Sequence, residues 1–365
     1  MKILQIIYTL GAGGAERFVV DLSNELVKKH ELHLITFYNE DNLFANYLDI
    51  NIKNKCIDSE RGFNLKAILK IQKIINEIKP DIIHCHLSVI LYLSPLAFLY
   101  PRIKFIHTIH SDAQREPGTK FQKYIRKLLY NLSLFKAVTI SPSCHNSFVE
   151  YYKSNKAYMI YNGRANIEPS ELFENCKIEL YDILNETNEL LFVHVARYNK
   201  LKNQEVLIKV FNRLIKENYK ISLLIIGAGF DSTEGRALKK LATSSVYFLG
   251  SKANATDYMY FADAFCLPSI YEGMPISLIE SFATGCVPIC TPTNGAIDTI
   301  INGVNGYLSN GFSENDYYAS LKSFINSKSM ISRQSLKEVY TKNFTIEVCS
   351  QKYEDLFNEI IKKQL

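Results

Sequence analysis

The stretch Pro268-Ser269-Ile270-Tyr271-Glu272-Gly273-Met274-Pro275-Ile276-Ser277-Leu278-Ile279-Glu280 decides how this chain is read. Ala264, Phe265 and Leu267 precede it and read as the end of a buried strand. Pro275 suits the first position of a helix, where its missing N–H costs nothing. That helix is predicted to run from residue 276 to about residue 284 and to stop at Gly285, a favourable residue just past a helix end. The amides of Ile276, Ser277 and Leu278 would then point beyond the strand, from an end that carries partial positive charge. The segment therefore reads as an anion site, with Glu272 on its lip and Glu280 about one turn inside.

Outward from this point the chain alternates short apolar strands with amphipathic helices. In the first half, strands are predicted at residues 2–9, 32–37, 81–84, 103–108, 137–141 and 157–160. Ala15, Phe18, Val19, Leu22 and Leu26 recur at helical spacing, as do the isoleucines of residues 66–79, which Pro80 closes. The second half begins again: strands at 190–196, 221–226, 246–249, 264–267 and 287–290, with a helix at 204–216. Short apolar strands alternating with helices imply parallel sheets covered on both faces, an α/β class. Two such units suit a chain of 365 residues, too long for one ordinary core. The least patterned region, residues 166–188, is the natural linker. Ligands of such sheets bind beyond the carboxyl ends of the strands, so the active site is expected in a cleft between two Rossmann-like domains.

Composition narrows the class. Hydrophobic residues make up 47% and charged residues 22%, which describes a folded, soluble protein. The eight cysteines are scattered without a C-x-x-C pair, which argues for a reducing compartment and against both a disulfide framework and a zinc knuckle. The N-terminal apolar run is short and soon meets Glu16, so it reads as a first strand rather than a leader. No run reaches the roughly 18 apolar residues of a spanning helix; residues 87–100 come nearest and are broken by Ser94 and Pro95. Residues 1–165 carry a net charge of +8 and the remainder −3, so the halves are expected to meet different partners. A cytoplasmic protein is expected, and nothing points to nucleic acid.

The cations and glycines fall at the predicted strand ends. Arg197 follows the 190–196 strand directly, with Lys202 just before the next helix. Gly227 and Gly229 follow the 221–226 strand, and Gly11-Ala12-Gly13-Gly14-Ala15-Glu16 links the first strand to the first helix. The last of these competes with a dinucleotide fingerprint, G-x-G-x-x-G, but Glu16 stands at its third glycine; Asp41 keeps that alternative open. His84, His86, His107 and His110 cluster at strand positions with zinc-like spacings, but only Asp112 joins them as a carboxylate. No Asp-x-Asp pair follows a strand, so no metal and no cofactor is expected.

Taken in order, these segments resemble the retaining glycosyltransferases of family 4, which have the GT-B fold of two facing Rossmann-like domains. Glu272 and Glu280 match the family's E-x7-E element, Arg197 and Lys202 its R…K-N element, and Gly227-Ala228-Gly229 its I-G-x-G turn. Val246-Tyr247-Phe248-Leu249-Gly250 resembles V-x-F-L-G, Gly13-Gly14-Ala15-Glu16 resembles G-G-A-E, and the segment around His110 resembles T-x-H-D, although Ser111 here separates His110 from Asp112. Tyr161-Asn162-Gly163 and Asn305-Gly306-Tyr307-Leu308 match two further family elements; Asp298 stands where the family has a longer Glu after Gly295.

The resemblance implies an N-terminal acceptor-side domain at 1–165, a C-terminal nucleotide-sugar domain at 166–345, and a last helix (about 346–363, within 346–365) crossing back onto the first. It implies that Arg197, Lys202, Met274, Pro275, Ile276 and Ser277 receive the donor diphosphate. Glu280 would hold the ribose, with Gly227, Gly229, Ser251 and Lys252 also at the nucleotide. Glu272 and His110 would face the transferred sugar, and Gly13, Gly14 and Glu16 would form the acceptor and phosphate loop. Arg164, where an apolar residue is commoner, reads as a surface linker cation.

The implied reaction moves a sugar, without metal, from a nucleoside-diphosphate sugar (a UDP-sugar foremost) to a saccharide or lipid-linked saccharide in bacterial surface polysaccharide synthesis. A nucleotide-sugar epimerase, an NAD(P)-dependent oxidoreductase and a non-catalytic carbohydrate-binding protein are the alternatives. The basic and aromatic residues of 120–136 suggest a helix lying peripherally on an anionic membrane, at its inner face.

Overall fold

The computed structural model describes residues 1–39, 42–116, 118–184, 190–327 and 330–362. The chain divides into two compact units, Met1–Ala165 with Asn343–Leu365, and Asn166–Lys342. In the first, seven strands form one parallel sheet: β1 (Lys2–Ile7), β2 (Glu31–Thr36), β3 (Lys53–Cys56), β4 (Ile82–His86), β5 (Lys104–Ile109), β6 (Phe135–Thr139) and β7 (Ala157–Met159). Their order is β3-β2-β1-β4-β5-β6-β7. In the second, β8 (Leu190–Val195), β9 (Ile221–Ile226), β10 (Val246–Gly250), β11 (Ala264–Leu267), β12 (Val287–Cys290) and β13 (Tyr307–Leu308) are parallel in the order β10-β9-β8-β11-β12-β13. Both orders reverse beside the unit's first strand, between β1 and β4 and between β8 and β11. At such a reversal the two outgoing loops diverge and leave a crevice beyond the carboxyl ends of the strands.

The buried strands explain themselves: every residue of β9, β11 and β12 is buried, as expected for strands covered on both sides. Strand β3 was not anticipated because Lys53-Asn54-Lys55-Cys56 has no apolar pattern. It is an edge strand, and its lysines discourage pairing with another chain.

Three expectations need correction. Residues 166–188 are not all linker. A helix, Phe173–Ile183, buries Cys176 and Leu180, and the Ser170 amide donates to the buried Asp257 at 3.0 Å. The basic stretch 120–136 is not one helix but Lys120–Asn131 followed by the start of β6. Within it Arg126 is fully buried and ion-paired with Glu116.

Arg164 is the third case. It is buried, and its Nη1 donates to Asp21 Oδ2 at 2.7 Å. Its backbone amide donates to the Phe344 carbonyl at 2.9 Å, and its carbonyl accepts from Ile346 at 2.9 Å. The chain leaving the first unit is thus stitched to the chain re-entering it. A Cβ on Gly163 would fall 2.6 Å from Cys349 Cβ, so only glycine fits there. The helix Ile346–Lys362 then packs on the first unit through Lys29–Glu354 at 3.1 Å and a Tyr353–Thr108 hydroxyl contact of 2.8 Å.

Candidate active site

In the second unit, Phe192 and Val193 of β8 lie beside Ala264 and Phe265 of β11. This register delivers the loop carrying Arg197 and Lys202 next to the loop carrying Glu272. The two are joined directly: Lys202 Nζ lies 2.5 Å from Glu272 Oε1, Ser269 Oγ donates to the same oxygen at 2.7 Å, and the Ile270 amide donates to the Leu201 carbonyl at 2.8 Å. Lys202 and Glu272 are mostly shielded from solvent, whereas Arg197 is exposed and no partner engages its guanidinium among the described residues.

The helix Ile276–Thr284 forms as predicted and ends on Gly285 in the left-handed region at φ 74°. Its start at Ile276 is the predicted one, but Pro275, read as a first helical position, stands just outside it. Pro275 has extended ψ of 129° and caps the helix from outside, its carbonyl accepting from Leu278 at 3.1 Å and Ile279 at 3.4 Å. The Leu278 amide is therefore used, and among the described residues no partner engages the amides of Ile276 and Ser277. Met274 is buried behind this turn. Gly295, after β12, packs on it so closely that a Cβ would stand 2.4 Å from the Gly273 carbonyl oxygen. Glu280, half-buried, sits on the fifth residue of the helix, about 6 Å along its axis.

The glycine turn after β9 closes the same end of the sheet. Gly227 has φ 154°, and a Cβ there would overlap the Ala196 carbonyl oxygen at 2.1 Å; Tyr198 donates its amide to the Ala228 carbonyl at 2.7 Å. Gly229 and Ser251 are exposed nearby in the chain. The Lys252 ammonium is committed elsewhere, 3.0 Å from Glu179, which also accepts from Tyr258 at 2.5 Å.

In the first unit, Gly13 caps the helix Gly14–Leu26, and a Cβ on Gly13 would lie 2.1 Å from Glu16 Oε2. The Glu16 carboxylate thus already faces the helix start that a dinucleotide pyrophosphate would need. Asp41, which kept the dinucleotide alternative open, lies outside the described residues. His110 follows β5, with its Nε2 2.9 Å from His86 Nδ1, whose Nε2 lies 2.8 Å from Gln5 Oε1. Burial pushes His110 down to about 3, so it is neutral in ordinary buffers.

Asp112 is a turn-former. It accepts from the Gln114 amide at 2.9 Å and from the Ser147 hydroxyl. Of the other histidines, His84 meets Thr108 at 2.7 Å through Nε2 but its buried Nδ1 has no hydrogen-bond partner among the described residues, and His107 meets Tyr130 at 2.7 Å. Among the described residues no group of three or more His, Cys, Asp and Glu could hold a metal ion. Sequence reading missed polar groups inside each unit, Gln5 and the Arg126–Glu116 pair in the first and His194 and Gln204 in the second. A histidine inside the apolar run Phe192-Val193-His194-Val195 was the available signal.

Two family models match this chain in succession, Glycosyltransferase Family 4 over residues 12–164 and Glycosyl transferases group 1 over residues 179–342. The chain belongs to the family 4 glycosyltransferases. This family 4 chain is 27% identical over 341 residues, 89% of its length and 90% of the other's, to the N-acetylgalactosamine-N,N'-diacetylbacillosaminyl-diphospho-undecaprenol 4-alpha-N-acetylgalactosaminyltransferase of Campylobacter jejuni. It is 24% identical over 362 residues, 93% of its length and 88% of the other's, to the UDP-Gal:alpha-D-GlcNAc-diphosphoundecaprenol alpha-1,3-galactosyltransferase of Escherichia coli. Among solved structures, Anabaena HepE in complex with UDP and glucose superposes with a TM-score of 0.82 at 17% identity, covering 98% of this chain and 100% of that one. A glycosyltransferase from Rickettsia africae gives 0.83 at 21% identity, covering 99% and 98%. The fold is GT-B.

Proposed function

We propose that the chain transfers a sugar, with retention of anomeric configuration, from a nucleoside-diphosphate sugar to a saccharide or lipid-linked saccharide. The observation that carries this reading is the juxtaposition at the β8–β11 reversal: Arg197, Lys202 and Glu272 beside the helix start at Ile276. Leaving-group departure builds negative charge on the diphosphate. Arg197, Lys202 and the amides of Ile276 and Ser277 are the groups to receive it. Charge-assisted hydrogen bonds of this kind contribute roughly 1.5–3 kcal/mol each. Protein cations and backbone amides do this work in the proposed scheme, and no step is assigned to a metal.

Glu280 holds the ribose hydroxyls, while the backbone at Gly227, Gly229, Ser251 and Lys252 serves the nucleotide. Lys202 leaves Glu272 for the diphosphate, which frees the carboxylate for the sugar. His110 is neutral and works on the sugar as a hydrogen-bonding group rather than as a cation. Gly13, Gly14 and Glu16 form the acceptor-side loop. The acceptor hydroxyl attacks the anomeric carbon on the face that the diphosphate leaves. The C1–O bond to the β-phosphate breaks, and that phosphate oxygen takes the hydroxyl proton. A UDP-sugar is the favoured donor, because the Anabaena neighbour is described with UDP and the Escherichia coli relative is named for UDP-Gal. An undecaprenyl-linked saccharide of a bacterial surface glycan is the favoured acceptor class, from the names of the two relatives.

No helix among the described residues is long and apolar enough to cross a membrane. The proposed contact is peripheral, at the cytoplasmic face. The helix Lys120–Asn131 and the residue following its end expose Phe121, Tyr124, Leu128 and Leu132 on one line, with Lys120 alongside.

A screen of nucleotide sugars for thermal stabilisation, with EDTA present throughout, tests donor and metal independence together. A UDP-sugar raising the melting temperature in EDTA is the expected result. Stabilisation that disappears in EDTA contradicts the metal-free scheme, and turnover of donor without acceptor would point to an epimerase.

A further inference from the structure

Beneath Arg197 lies a buried polar chain whose proton positions the geometry fixes. His194, the last but one residue of β8, is fully buried, with Nδ1 2.8 Å from the Cys266 carbonyl oxygen of β11. A carbonyl can only accept, so Nδ1 carries the proton and Nε2 is a bare acceptor. Burial holds the ring down to about 4, which keeps it neutral. Gln204, 1% exposed at the start of the helix Gln204–Lys216, places its amide nitrogen 3.3 Å from His194 Nε2 and 3.1 Å from the Arg197 carbonyl oxygen. Both neighbours are acceptors, so both amide hydrogens are used and the amide has one orientation. Its oxygen then faces the Asn199 amide at 3.5 Å.

This chain runs from β11, just before the Glu272 loop, to the backbone of Arg197. The other connections between the two loops, Lys202–Glu272 and the Ile270 amide to the Leu201 carbonyl, lie at or beyond residue 201. Gln204 is therefore the side chain that holds the Arg197 carbonyl, and through His194 it refers that position to the neighbouring strand. We infer that His194 and Gln204 are positioning residues for donor binding, fixing the backbone at Arg197 so that its guanidinium meets the diphosphate while neither touches the ligand. The inference rests on the reading of Arg197 as a diphosphate ligand.

The test compares UDP with uridine, which has the base and ribose but no phosphate. Calorimetric affinities for both are measured on the full chain, on Gln204→Leu, on Gln204→Glu and on Arg197→Ala, with melting temperatures alongside. Gln204→Leu is expected to weaken UDP about tenfold, since two buried acceptors lose their donors, and to leave uridine unchanged. In Gln204→Glu the carboxylate can only accept, so at pH 8 it faces two acceptors and UDP binding falls. Lowering the pH to 6 brings a proton to the His194–carboxylate pair, and affinity relative to the unsubstituted chain is expected to recover in part.

Loss of UDP and uridine binding together in a folded Gln204→Leu, or loss of neither, overturns the inference. If that variant does not fold, a flat relative pH profile for Gln204→Glu overturns it. Arg197→Ala separates the two levels of the argument: unchanged UDP affinity there refutes the reading of Arg197 itself. A weakened Arg197→Ala beside an unaffected Gln204→Leu refutes only the positioning role.

Discussion

Lys202 and Glu272 form a partly shielded ion pair at the place where a diphosphate and a sugar are proposed to arrive. Each partner therefore competes with ligand for the other. Replacing Glu272 by Gln leaves the shape but removes the charge, so Lys202 becomes more available. Glu272→Gln is expected to bind UDP a few-fold more tightly, in keeping with the roughly 1 kcal/mol worth of a partly exposed pair. Sugar transfer is expected to fall about 100-fold or more, because the carboxylate proposed to face the sugar is gone. Parallel UDP titration and initial-rate measurements decide it. Weaker UDP binding together with unimpaired transfer would contradict both roles. The spacing of the two glutamates was legible in the sequence, whereas the Lys202 partnership was not. It depends on the Phe192–Ala264 register, which no local pattern records.

At the scale of elements, the helix Ile276–Thr284 stands on an unusually close backbone contact. A Cβ at Gly295 would enter the Gly273 carbonyl and the Met274 Cα at 2.4 and 2.8 Å, and backbone cannot yield as a flexible side chain does. Gly295→Ala should push the Gly273–Pro275 turn away from its place. UDP affinity is expected to drop about tenfold or more, while β8, β9 and the rest of the unit stay folded. Unchanged affinity would show that this turn does not carry the diphosphate.

The helix Lys120–Asn131 makes a second element-scale prediction. Phe121, at 70% exposed, and Tyr124, at 68%, do not serve the core, which is filled by Leu129 and Tyr130. Replacing Phe121, Tyr124 and Leu128 by Ser should leave the melting temperature nearly unchanged and abolish sedimentation with vesicles of anionic phospholipid. Undiminished sedimentation would remove this helix from any membrane contact. Helix and strand positions with strong apolar periods, such as Gln204–Lys216, were readable in advance. The break between this helix and β6 was hidden, because Leu128 to Phe135 stays rich in apolar residues through the turn.

Across the whole molecule the two units share a topology but not a titration behaviour. The first unit buries His84, His86, His107 and His110, all held below their ordinary range by burial; His84 and His110 reach about 3. The second buries His194 alone among such histidines, at about 4. Above pH 6.5 neither folded nor unfolded chain protonates these rings, so they exert no pH effect. Below it the unfolded chain takes up protons that the folded unit refuses, and stability falls with pH at up to about 1.4 kcal/mol per pH unit for each histidine. On acidification from pH 7 to 5 the first unit is expected to lose thermal stability faster than the second, as read by unit-resolved hydrogen exchange. Equal losses would contradict the assignment of these rings as buried and neutral.

The two-unit organisation itself was visible in the restart of the strand pattern at Leu190. The buried histidine chains were visible only as spacings that also suit zinc. Their actual partners, Gln5, Thr108 and Tyr130, are brought to them by the sheet and by the helix that follows β5.

The most direct test of the central claim is a calorimetric UDP titration in EDTA on the unsubstituted chain and on Lys202→Ala. The account predicts binding that EDTA does not reduce, weakened about 10- to 100-fold by the loss of Lys202. Binding that requires a divalent ion, or that survives Lys202→Ala at full strength, would contradict it.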